Sequence, residues 1–325
     1  MFKLAVIVIL LLVDVIHGFR SLFTVRNYSK TVRKSMKTTM SSSKTSPGLK
    51  KVLALDFDGV VCASSPESSY SAIIASKFYW PKECNDMNDD EALQIRKAVM
   101  QLRPIVETGY ENMLLVLICF RELRKEGSIN IKNLLESWKG TTIKQDLLSE
   151  LDESSENLIK VFGLCRDNFI ENDFKKWISL NEVFTEVDSS LINHCIDKKT
   201  GKCKDNVCII TTKQGRFVQA ILQENSLPCP TLDRLYDLDN PYGKKPEVLK
   251  ALLNESPGSE IHFVEDRMET LLAVTQCEEL SNVRLYLVAW GYNTEEERIK
   301  AELHPRITLL KSATEFENSL NKIFN

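Results

Sequence analysis

Asp56 and Asp58 stand two positions apart at the end of the apolar run Lys51-Val52-Leu53-Ala54-Leu55, and Gly59 follows them. Side chains two apart in an extended chain leave the same face, so both carboxylates project from one edge while the glycine lets the backbone turn. Such a pair can bind a divalent cation, and one carboxylate can attack as a nucleophile while its neighbour carries a proton. The same Asp-x-Asp-Gly pattern also occurs in ordinary turns, so the pair alone decides nothing. Three further features bear on it. Thr211, at the end of a second apolar run, offers a hydroxyl and a backbone N–H to a phosphate oxygen, with Thr212 as the alternative. Lys245, followed by Pro246 at the start of a helix-like stretch, sets a cation near the same edge, with Lys244 as the alternative. Glu265 and Asp266 close a third apolar run with two more acids.

These residues need strands that deliver them to one edge. Short apolar runs bounded by turn residues fit buried parallel strands, and they occur at 51–61, 207–212, 261–265 and 283–290. Helical patterns at 216–225, 246–253 and 267–276 alternate with the last three, which predicts a doubly wound α/β sheet of Rossmann-like type. Ligands in such sheets bind beyond the carboxyl ends of the strands, where all four features fall. Between the first two strands lie about 150 residues with no convincing strand, far beyond the usual length of a structureless loop. Apolar residues recur there at helical spacing over 70–78, 91–102, 110–124, 131–138, 147–162 and 167–178. The expectation is an inserted all-helical domain over 66–180, with the α/β core formed by 52–65 and 181–325. The stretch 181–198 reads as a helix of the core.

The chain has 325 residues and a formal charge of −3, but residues 1–51 carry +9 and the remainder −12. A sign change of that size marks a targeting segment ahead of a folded body. Residues 1–18 contain an apolar run, Leu4 to Val13, between Lys3 and Gly18. That is the layout of a cleavable signal peptide, too short for a stable membrane anchor. Residues 19–51 hold nine basic residues, twelve Ser or Thr and no acid, the composition of a transit peptide. Joined in this order, with Phe19 behind a small residue, they resemble the bipartite presequence of algal plastids that lie inside an endomembrane. The expected destination is therefore the plastid stroma, with secretion or an endomembrane lumen as the alternative. The acidic body argues against nucleic acid as a partner. No two glycines are closer than Gly48 and Gly59, which excludes every Gly-rich nucleotide loop. The nine scattered cysteines, with no CxxC, read as reduced thiols, in keeping with a reducing stroma.

The strand-end residues resemble the haloacid dehalogenase superfamily, whose members are mostly phosphohydrolases. Its first motif matches Asp56-Phe57-Asp58-Gly59-Val60, its second Cys208-Ile209-Ile210-Thr211, its third Lys245-Pro246 and its fourth Glu265-Asp266. The fourth departs from the usual Gly-Asp-x-x-x-Asp form, because Thr270 stands where a second acid would fall; Glu265 or Glu269 could take that place. The terminal run leading into Trp290-Gly291-Tyr292-Asn293 is similar to phosphoglycolate-phosphatase-like members. Within the insertion, the segment from Arg103 to Asn112, together with Leu135-Glu136-Ser137-Trp138 and Thr212-Lys213-Gln214-Gly215-Arg216-Phe217, looks like an uncharacterised branch of plants and cyanobacteria.

The resemblance implies a phosphatase in which Asp56 attacks a phosphoryl group and Asp58 serves as acid, then base. It implies Mg²⁺ held by Asp56, the Asp58 carbonyl and Asp266, with Glu265 a further candidate, and Thr211 (or Thr212) and Lys245 on the phosphoryl oxygens. A phosphomutase of the same fold, or a non-catalytic binding protein, is the alternative. A helical insertion at this point is implied to be a cap that closes over a small phosphorylated metabolite. Arg103, Glu107, Tyr110 and Arg121 could face the site or merely line a solvated helix face, and Trp138 and Trp177 are expected in the cap core. His194, His262 and His304 form no cluster.

Overall fold

Lys51–Leu55 forms β1 of a computed structural model that describes residues 51–138 and 142–324. The described residues lie within one compact unit; the presequence expected over 1–51 falls, apart from Lys51, outside them. Val52 and Ala54 face one side of the sheet and Leu53 and Leu55 the other, and all four are buried, as a strand covered on both faces must be. β1 pairs in parallel with Val207–Ile210 (β4) on one flank and Glu260–Glu265 (β6) on the other. With Leu235–Tyr236 (β5), Arg284–Val288 (β7) and Ile307–Leu310 (β8), the sheet runs β5-β4-β1-β6-β7-β8, parallel throughout. This is the doubly wound α/β architecture expected from the strand patterns.

The insertion is helical. Ser65–Tyr79 (α1), Pro81–Cys84 (α2), Asp89–Gln101 (α3), Glu111–Glu126 (α4), Ile131–Trp138 (α5), Ile143–Glu150 (α6), Ser155–Asn172 (α7) and Phe174–Ser179 (α8) follow β1. Local sequence sets the bounds. Asn88 and Glu91 cap α3 reciprocally, and Gly127, at φ 72°, ends α4 in the left-handed conformation that glycine adopts without strain. Most of these helices share one apolar cluster, in which Leu114, Leu115 and Leu117 are fully buried.

The core helices are Asp188–Cys195 (α9), Gly215–Glu224 (α10), Lys245–Glu255 (α11), Met268–Thr275 (α12), Glu295–Leu303 (α13) and Ala313–Phe324 (α14). α9, α10 and α14 cover the Leu53 and Leu55 face, while α11, α12 and α13 cover the Val52 and Ala54 face. No described helix is long and apolar enough to cross a membrane.

Several local expectations are corrected. β1 stops at Leu55, and 56–61 forms a tight turn, after which Cys62–Ala63 (β2) pairs antiparallel with the distant Glu182–Val183 (β3). The stretch 181–198 therefore begins as a strand, and its helix spans only Asp188–Cys195. The helices expected over 147–162 and 167–178 break at 151–154 and at Asp173, because Ser154 and Asp173 each turn a side chain onto a following backbone N–H as a cap. Trp138 joins the cap cluster as expected, but Trp177 does not. It is buried against Phe217 of α10, ring centroids 5.5 Å apart, within the core cluster.

Candidate active site

β1, β4 and β6 are adjacent, so their carboxyl ends bring together residues far apart in the chain. The Asp56 N–H donates to the Val264 carbonyl (2.9 Å), which fixes the last rung between β1 and β6 and sets Asp56 beside Glu265 and Asp266. One carboxylate oxygen from each of Asp56, Glu265 and Asp266 lies within 4.8 Å of the others, and all three residues are buried. The nearest cation is Lys245, the first residue of α11, whose Nζ sits 2.9 Å from Asp56 Oδ2 and 2.7 Å from Glu265 Oε2. Lys244 is exposed.

One ammonium does not balance three buried carboxylates. Burial first, and the charge of Glu265 second, push Asp56 up to about 7 against the pull of Lys245. Burial likewise raises Glu265 and Asp266. A divalent cation among three oxygen donors would relieve this deficit, and hard carboxylate ligands are what Mg²⁺ takes, so the residues present fit the metal. Glu265 is already engaged: Oε2 by Lys245, and Oε1 by the backbone N–H groups of Asp266 and Arg267, 3.1 Å each. Glu269, the other candidate, is turned outward, 3.9 Å from Arg267 with its side chain 70% exposed.

Gly59 and Gly291 make room for Asp266. Gly59 adopts φ 84°, and a Cβ there would lie 1.9 Å from Asp266 Oδ2; one on Gly291 would lie 2.3 Å from Asp266 Cβ. Between them, Asp266 Oδ2 accepts the Tyr292 N–H at 2.7 Å, and the Tyr292 hydroxyl accepts the Ser65 N–H at 2.8 Å.

The sheet order and the four strand-end motifs at one edge decide the architecture. The core is a doubly wound, parallel α/β sheet of Rossmann-like type with a helical insertion after β1. No protein-family model matches the sequence, and a search among curated proteins finds no match. Among solved structures, a protein assigned as a phosphoglycolate phosphatase in Lactobacillus delbrueckii aligns with a TM-score of 0.49 and 14% identity over 84% of this chain and 98% of its own. One so assigned in Haemophilus somnus aligns with a TM-score of 0.48 and 15% identity over 85% and 99%. A haloacid dehalogenase-like family hydrolase from Streptococcus pneumoniae aligns with a TM-score of 0.46 and 12% identity over 83% and 98%.

Asp58 occupies a different environment from Asp56. Its Oδ1 lies 3.1 Å from Lys213 Nζ. Burial alone would raise it, but Lys213, Arg103 and a hydrogen bond from Ser64 outweigh burial and hold it below the usual carboxylate range. Lys213 was not among the residues singled out at this edge, although it stands only two positions beyond Thr211, in the bend that follows β4. The expectation for Thr211 is corrected in one respect. Its N–H donates to the Tyr236 carbonyl (2.8 Å) as a rung of the sheet, so only its hydroxyl is available, with Oγ1 accepting the Lys213 N–H at 3.1 Å. Thr212 is exposed.

Of the four cap residues, only Arg103 reaches this region. Its guanidinium lies 4.7 Å from the centroid of the Tyr292 ring. Tyr110 is buried in the cap cluster, Glu107 is exposed, and Arg121 pairs with Glu150 at the surface. The three histidines lie apart: His194 beside Glu317, His262 on Tyr286, and His304 accepting the Arg306 N–H.

Proposed function

We propose that the protein is a Mg²⁺-dependent phosphohydrolase acting on a small phosphate ester through an aspartyl-phosphate. The observation that carries this reading is the contrast between two carboxylates on one loop. Asp56 is fixed, buried and in want of a cation, while Asp58 is ion-paired to Lys213. Asp56 is oriented at both oxygens, Oδ1 by the Phe57 N–H (2.7 Å) and Oδ2 by Lys245. A carboxylate needs orientation more than activation to serve as a nucleophile, and here it has it.

Asp56, Asp266 and the Asp58 carbonyl would hold Mg²⁺. When bound, the ion offsets the repulsion between the nucleophile and an anionic phosphate. An Asp56 oxygen attacks phosphorus as the ester P–O bond breaks, and Asp58 gives its proton to the departing oxygen. Asp58 is held ionised in the resting site, so it must be loaded first. The negative charge of an arriving phosphate favours the protonated form of a neighbouring carboxyl. Asp58 then takes a proton from the water that hydrolyses the aspartyl-phosphate, which releases phosphate and regenerates Asp56. Lys245 and the Thr211 hydroxyl serve the charge spread over the phosphoryl oxygens. The helical insertion over the strand ends would act as the cap, excluding water.

Hydrolysis of p-nitrophenyl phosphate by residues 52–325 tests the reading. Activity should require Mg²⁺ and disappear in Asp56→Asn. Equal rates for the wild type and the variant would overturn it and leave the non-catalytic alternative. Transfer of phosphate between positions of one sugar, dependent on a bisphosphate activator, would mark a mutase instead.

A further inference from the structure

Positive charge around the site is mostly neutralised. Lys245 pairs with Asp56 and Glu265, Lys213 with Asp58, and Arg166 with Glu67 at 2.9 Å. Two arginines differ. Arg103 arrives from the cap, in the short turn Arg103–Ile105, and rests on the Tyr292 ring, whose own backbone N–H holds Asp266. Arg267 arrives from the core, directly behind the Glu265-Asp266 pair. Their guanidinium groups converge on one acceptor: the Val106 carbonyl takes Arg103 Nη1 at 3.0 Å and Arg267 Nη1 at 2.6 Å.

That acceptor is neutral. Among the described residues, Arg103 has no carboxylate within ion-pair range, and Arg267 has only the exposed Glu269 at 3.9 Å. Two cations facing one neutral oxygen at the seam between cap and core repel each other, and an anion placed there would relieve the repulsion. Guanidinium forks match carboxylate and phosphate oxygens in geometry, and the stack on Tyr292 orients Arg103 before any ligand arrives.

Building on the phosphohydrolase reading, we propose that the substrate carries a second anionic group, a carboxylate or a second phosphate, apart from the phosphate that Asp56 attacks, and that Arg103 and Arg267 bind it between cap and core. An ester without that group leaves Arg103 with no ion-pair partner and Arg267 with only the exposed Glu269, and a site built for a polar partner discriminates strongly against an analogue that lacks it. The bond from Arg267 to the Val106 carbonyl ties the cap to the core, so an anion held by both arginines would favour the closed arrangement.

The test compares matched esters: phosphoglycolate with hydroxyethyl phosphate, phosphoglycerate with glycerol phosphate, and a hexose bisphosphate with its monophosphate. Binding is measured by calorimetry on the Asp56→Asn protein, where turnover is blocked, and KM on the wild type. The doubly anionic member of at least one pair should bind roughly tenfold tighter or more, the range expected of charge-assisted hydrogen bonds. That ratio should fall toward one in Arg103→Gln and in Arg267→Gln, recover in part in Arg103→Lys, and persist in Arg121→Gln, whose arginine lies at the surface. Equal binding across all three pairs would overturn the inference, as would a ratio untouched by Arg103→Gln. Selective binding without turnover of any ester by the wild type would instead sink the phosphohydrolase reading while leaving the anion site standing.

Discussion

The chemistry of the site turns on Asp56, whose ordinary acidity is lost. Burial and Glu265 lift it to about 7 against the pull of Lys245, so the proton and the metal compete for one carboxylate. The sign follows directly. Above that value Asp56 is ionised and ready to bind; below it, each binding event must first expel a proton. Mg²⁺ affinity, measured by calorimetry on residues 52–325, should therefore weaken as pH falls from about 8 to about 6, approaching a tenfold loss per unit below Asp56's own value. An affinity flat across that range would remove Asp56 from the ligands. At this scale the sequence was informative where a motif stands at a strand end. It was silent where a residue acts by pairing. Lys213 has no pattern of its own, and its value appears only when Asp58 is seen 3.1 Å away. The loss of the Thr211 N–H to Tyr236 was equally hidden, because β5 is two residues long and carries no periodicity.

Elements with a strong period were legible, and those created by tertiary pairing were not. β4 is an unbroken apolar run, and β1, β6 and β7 are apolar apart from His262 and their charged end residues; a run covered on both faces announces itself. β3 exists only because Glu182 and Val183 meet Ala63 and Cys62, partners some 120 residues away in the chain. Trp177 shows the same limit. Helical spacing places it with the insertion, yet packing places it under α10, 1% exposed. Trp177→Ala should consequently destabilise the sheet-bearing core by about 3–5 kcal/mol, read as a lower midpoint in denaturant. The indole Nε1 is buried without a hydrogen-bond partner, so Trp177→Phe should cost far less. A similar loss for both variants would show that the nitrogen matters after all.

Across the whole molecule, charge is divided by destination. We read residues 1–51, at +9, as an import address that leaves a body of −12; a fluorescent reporter fused to them should reach the plastid, and secretion to the medium would refute that. The body also carries a pH-sensitive member remote from the site. His262 is 6% exposed, and burial lowers its pKa below the ordinary 6.5. Glu260 (3.8 Å) pulls the other way, and Lys51 and Arg284 add to the depression. The unfolded chain then binds a proton below 6.5 that the folded one refuses, so stability falls on acidification through that window. His262→Gln should flatten the decline in melting temperature between about pH 6.5 and pH 5. The place of β1 has a consequence for assembly. It precedes every other described strand, yet its partners in β4 and β6 follow about 150 and 210 residues later, and non-local pairing of that kind closes slowly. A chain emerging amino end first from a ribosome holds β1, with Asp56 just beyond its end, unpaired until nearly all the rest has arrived. The strand edge that carries Asp56 therefore assembles last, and chaperones that shield exposed apolar strands would find β1 their longest-waiting client.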